Sequence, residues 1–180
     1  MATNRKTGPL PGMGLGERQQ RAWLAYMRIY LRLTYEMNHQ LLTDSELSLA
    51  DYHVLSALRR ADGHKLRIQP LAAEIGWERS RASHQIRRMA MRGLVSTGVA
   101  REDRRATEVI LTAKGRLAFR AATAGHAELV RRLFFEGLPD ERLDRMTDAL
   151  EGIYCNILEQ GSLPSPDPSS IMSTTPPLPR

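Results

Sequence analysis

The chain has 180 residues, 42% hydrophobic and 26% charged, with a formal net charge of +6 and a pI near 10.0. That balance describes a folded domain large enough to bury a core, and it excludes a low-complexity or disordered chain. A single cysteine, Cys155, excludes an internal disulfide, and no apolar run approaches the 18 residues that a membrane span needs.

Residues 1–16 hold four glycines and two prolines and read as a flexible arm. A long helix is expected from about Glu17 to Thr43. Trp23, Tyr26, Met27, Tyr30, Leu33, Met37 and Leu41 recur there at helical spacing. A short helix follows from about Leu49 to Ala61 and stops at the Asp62-Gly63 turn signal. Pro70 is expected to open a third helix that ends at Gly76. The fourth lies within GWERSRASHQIRRMAMRGLV, residues 76–95, and closes at Gly93. The period then changes to two, so 94–99 and 107–111 read as strands joined by a charged loop. Thr112 is placed to cap a helix reaching about Glu136, which Gly137 breaks. Pro139 starts the last helix, where Leu143, Met146, Leu150, Ile153, Ile157 and Leu158 form a heptad-like seam. Residues 161–180 contain six prolines and read as a disordered tail.

The fourth helix carries most of the functional signal. On a helical wheel Ala82, Ile86 and Met89 share the core face. Ser80, His84 and Arg87 lie opposite, flanked by Arg81 and Arg88 on one side and Ser83 on the other. A solvated helix normally mixes signs, and this outward face has no carboxylate. From Gly76 to Arg105 there are eight arginines and three acids, a net +5 out of the chain's +6. A face of this kind suits a polyanion, and a helix-turn-helix would set it in a DNA major groove. Composition alone leaves room for an arginine-rich genome or an anionic membrane. The outward face nevertheless lacks the apolar anchor that an interfacial helix needs.

The order helix, helix-turn-helix, hairpin and two closing helices resembles the MarR family of bacterial transcription regulators. So do Leu71-Ala72, the SRASHQIRRM helix, the RGLV exit, and Asp103, Arg105, Leu111, Thr112 and Gly115 in the string EDRRATEVILTAKG. Two positions depart from the family pattern: Glu78 stands in place of a serine or threonine cap, and Trp77 in place of a small aliphatic residue.

The resemblance implies a mainly α fold with a small β-hairpin wing, a winged helix-turn-helix with N- and C-terminal dimerisation helices over 17–160. The helix-turn-helix would span about 68–93, the wing about 94–112, and the dimerisation segments about 17–45 and 113–160. It implies a homodimeric, ligand-responsive bacterial repressor bound to a double-stranded pseudo-palindromic operator, and the single cysteine with no signal-length apolar run reads as a cytoplasmic, nucleoid-associated protein. The implied DNA contacts are Ser80, Arg81, Ser83, His84, Arg87 and Arg88, with Arg101, Asp103, Arg104 and Arg105 in the wing. Within the wing, Arg105 would enter the minor groove and Asp103 would brace an arginine such as Arg101. A pocket for a small aromatic or lipophilic effector would draw on Trp23, Tyr26, Tyr30, His53 and Arg28. The alternative is an architectural DNA binder of low sequence specificity. No pattern calls for catalysis, a cofactor or a metal, so no enzyme is expected. Cys155 has the character of a small buried hydrophobe, though an interchain disulfide stays open.

Overall fold

The computed structural model describes residues 14–99 and 106–166. Helix α1 (Glu17–Ser45) begins where the Gln19 side chain accepts a hydrogen bond from the Gly16 N–H at 2.9 Å. It ends as Glu46 turns left-handed at φ 55° and the Leu47 N–H reaches back to the Leu41 carbonyl. Ser48 and Asp51 then cap α2 (Leu49–Arg60) reciprocally. The Ser48 hydroxyl accepts from the Asp51 N–H, and the Asp51 carboxylate accepts from the Ser48 N–H. Asn38 ties this corner to α1 by accepting from the Leu49 N–H at 3.0 Å.

A 3-10 turn at Asp62–His64, with Gly63 at φ 61°, leads into a short strand, β1 (Lys65–Arg67). Helix α3 (Ile68–Glu74) starts two residues before Pro70. Proline is tolerated there because first-turn N–H groups have no partner within the helix. Helix α4 (Arg79–Met91) buries Ala82, Ile86 and Met89, the three residues expected on its core face. Its end is a Schellman-type cap. Gly93 adopts φ 71° and the Leu94 N–H donates to the Met89 carbonyl at 3.0 Å.

Strands β2 (Val95–Val99) and β3 (Thr107–Leu111) form the expected antiparallel hairpin, and β1 adds to the other edge of β3 in the order β1-β3-β2. Val109, fully buried, faces Leu66 on one side and Thr97 on the other. Thr112 caps α5 (Ala113–Val130) by accepting from the Gly115 N–H, and its hydroxyl donates to the Gly93 carbonyl. Gly115 is required: a Cβ there would collide with the Leu94 carbonyl. Helix α5 widens into a π turn at Arg131–Phe135 before Gly137 reverses the chain into α6 (Asp140–Gln160).

The core joins α2, α3, α4 and the sheet, with Leu41 of α1 and Ala122 of α5 closing it from above. Helix α1 packs along α5. Helix α6 buries none of its own residues. The three-stranded sheet and mostly helical content are those of a winged helix-turn-helix. Strand β1 and the early start of α3 were not foreseen. Three residues are too few to display an alternating pattern, and β1 exists because β3 offers it an edge.

Candidate nucleic-acid interface

Helix α4 is held at a defined angle by one buried carboxylate. Asp51, 2% exposed, accepts from the Gln85 amide at 2.7 Å through one oxygen. Through the other it accepts from the Arg92 guanidinium at 2.7 Å. Arg92 also donates to the Glu46 carbonyl. One of the arginines in the 76–95 stretch is therefore structural, fastening the end of α4 to the start of α2. Sequence reasoning had no signal for this pairing, since its members lie 41 residues apart.

What remains on α4 points outward. Ser80, Arg81, His84, Arg87 and Arg88 are exposed, along with Arg79. Ser83 is half-buried and its hydroxyl donates to the Arg79 carbonyl at 2.8 Å, which leaves its lone pairs as acceptors only. The first turn of α4 contains no acid. The Arg81 guanidinium lies over the ring of buried Trp77, 4.3 Å from its centre. That contact was not foreseen, although the i,i+4 spacing of the two residues was visible. Arg101, Asp103, Arg104 and Arg105 lie outside the described residues. The strands that lead to them are placed, and a Lys65–Glu108 ion pair at 3.1 Å fastens β1 to β3.

The expected pocket residues separate into three places. Trp23, Tyr26 and Tyr30 form a ladder along α1 with ring centres 5.6 and 6.1 Å apart, and Tyr30 is 51% exposed. Arg28 lies on another side of α1, lining a cavity of about 900 Å³ with Leu133 and Phe134. His53 borders a different cavity of about 540 Å³. Ser56, Arg60 and residues 73–76 line it together with Tyr154, Ile157, Leu158, residues 161–164 and Pro166. Within one chain, then, His53 does not share a cavity with the aromatic ladder.

His53 keeps solvent contact on one side, yet the protein around it desolvates the ring and pushes its pKa below the ordinary value. The positive fields of His126 and Arg81 act in the same direction. Desolvation also lowers His126, which sits against Tyr52 with ring centres 4.4 Å apart. The His126 Nδ1 is buried without a hydrogen-bond partner.

A second feature of the surface is apolar. Ile29, Tyr30 and Leu31 on α1 are exposed, as are Leu150, Ile153, Tyr154 and Ile157 on α6. Cys155, expected as a small buried hydrophobe, is instead exposed beside them, because α6 buries none of its residues within one chain. Apolar side chains left exposed along two helices suit an interaction surface. Among the described residues no helix is long and apolar enough to cross a membrane, and no cluster of metal-ligating side chains occurs.

No protein-family model matches the sequence, and no curated protein matches it either. Solved structures do. AbsC, a MarR family transcriptional regulator from Streptomyces coelicolor, is 31% identical over 81% of this chain and 98% of its own, with a TM-score of 0.76. Sco3205, another MarR family regulator from Streptomyces coelicolor, was solved in complex with DNA. It is 26% identical over 84% of this chain and 98% of its own, with a TM-score of 0.79. CouR from Rhodococcus jostii RHA1, solved bound to p-coumaroyl-CoA, shares the fold at 24% identity. It covers 75% of this chain and 92% of its own, with a TM-score of 0.66.

Proposed function

The chain belongs to the MarR family of transcription regulators, and from that premise we propose that it is a homodimeric repressor. It binds a pseudo-palindromic operator and releases it when a small aromatic or lipophilic molecule binds. The observation that carries this reading is the outward face of α4, five exposed cations and polar side chains from Ser80 to Arg88 with no acid among them. Arginine-rich, acid-free faces match the negative potential of DNA, and the first turns of a recognition helix reach base edges. The similar Sco3205 was captured on DNA, which supports the same role here.

Ser80, Arg81, Ser83, His84 and Arg87 are the base-reading set, and Arg88 is a phosphate contact. In the wing, Arg105 enters the minor groove, Asp103 braces Arg101, and Arg104 meets phosphate. The dimer forms through the apolar faces of α1 and α6, which burial within one chain leaves uncovered. Segments 17–45 and 113–160 thus dimerise, while about 68–112 binds DNA. Two recognition helices on one face of the duplex need half-sites about 10 base pairs apart. The effector occupies space between the dimerisation helices and the winged unit, and His53 provides a neutral imidazole at its edge. The reading includes no catalysis.

Selection from fragmented genomic DNA by the purified full chain, at near-physiological salt, tests it. A shared inverted repeat bound about 10³-fold or more above random DNA is the expected result. Retention without a shared motif would point to an architectural binder instead.

A further inference from the structure

The turn between α3 and α4 sets an indole beneath the start of the recognition helix. Trp77 is 8% exposed within the core cluster, and its backbone N–H donates to the Ala72 carbonyl at 2.8 Å. Four residues on, Arg81 is exposed and its guanidinium carbon lies 4.3 Å from the centre of the Trp77 ring. Helix geometry accounts for the meeting, because long side chains lean back over the preceding turn. The ring's negative face attracts the cation electrostatically. That attraction uses none of the guanidinium N–H groups, so the planar fork keeps its donors. No acid lies in the first turn of α4 to occupy them. The neighbouring His53 carries no negative charge that would draw the guanidinium away from the ring. A stacked, unoccupied fork on a recognition helix has the donor pattern that fits the O6 and N7 acceptors of guanine in the major groove.

The geometry points to Trp77 as the positioning residue that makes Arg81 a guanine reader, so that each operator half-site carries a guanine opposite Arg81. This rests on α4 being the recognition helix. The ring fixes the guanidinium before DNA arrives, so less side-chain freedom is lost on binding. Trp77 itself touches no base. It acts on specificity through Arg81.

The test is selection of the full chain on randomised duplexes, comparing wild type with Trp77→Leu, Trp77→Phe and Arg81→Lys. In wild type, one guanine per half-site is expected. Its preference should fall about threefold to tenfold in Trp77→Leu, at that position alone. Trp77→Phe, which still presents an aromatic face, should retain most of it. Arg81→Lys should lose it, and adding Trp77→Leu to Arg81→Lys should cause no further change there. A uniform loss of affinity with the guanine preference intact would mean that Trp77 only packs, and would overturn the inference while leaving the operator reading in place. Should Trp77→Leu fail to fold, two results remain decisive. They are the Trp77→Phe preference and the emission of Trp77 in a Trp23→Phe chain, which contains no other tryptophan. That emission should change when Arg81→Ala removes the stacked guanidinium, and an unchanged signal would overturn the inference. A wild-type selection that returns no motif overturns the recognition-helix reading and this inference with it.

Discussion

The winged unit and the two terminal helices dispose of their apolar residues in opposite ways. Helices α2 to α4 and the sheet enclose Val54, Leu55, Leu58, Leu71, Ile86, Met89 and Val109 almost completely within one chain. Helix α1 is 29 residues long and buries only Gln20 and Leu41, and α6 buries nothing while exposing Leu150, Ile153 and Ile157. The first region is complete as a monomer. The second has the pattern of a core without its other half. A single chain therefore presents a closed winged unit on helices whose apolar faces stay open, and in the proposed dimer those faces would set the spacing between two winged units.

That contrast predicts different responses to substitution. The largest effect belongs to the finished region: Leu55→Ala should cost about 2–5 kcal/mol, because a fully buried side chain leaves a cavity. Thermal unfolding should show the same loss at every protein concentration. Asp51→Ala should cost about 2–3 kcal/mol, since Gln85 and Arg92 lose a charged acceptor. It should also weaken DNA binding by loosening α4. Normal operator binding in a folded Asp51→Ala chain would show that the carboxylate does not set the angle of α4.

In the unfinished region, Ile153→Asp should leave the winged unit folded and shift the protein toward monomer, by about 1–3 kcal/mol of association. Sedimentation at several concentrations would read this, and a variant that stayed dimeric would move the interface elsewhere. The smallest effect is pH dependence. His53 and His126 have folded-state pKa values below their unfolded value. The unfolded chain therefore binds more protons once pH falls below about 6.5, so their contribution is complete above that pH and declines as pH drops toward the folded values. Melting temperature should fall on acidification through this range, and the double variant His53→Gln, His126→Gln should flatten the slope.

Much of the finished region was legible in the sequence because its signals are local. Ala82, Ile86 and Met89 declare the inner face of α4 by spacing, and all three are buried. Thr112 and Gly93 mark helix ends by residue type, and both act as caps. Two things were hidden for physical reasons. Strand β1 gains its structure from pairing with β3 and has no pattern of its own. The Asp51–Arg92 bond joins residues that only the tertiary fold brings together. The candidate pocket was less legible still. Trp23, Tyr26 and Tyr30 share a stripe, but their stripe faces outward from the single chain while His53 faces another cavity. A helical period shows that a face is apolar without showing whether its own chain or another one covers it.

Hydroxyl-radical footprinting of the full chain on its selected operator tests most directly that two winged units are set by one dimer. The expected result is two protected patches on one face of the duplex, about 10 base pairs apart centre to centre, appearing together as one dimer binds. A single protected patch, or two that fill independently, would contradict it.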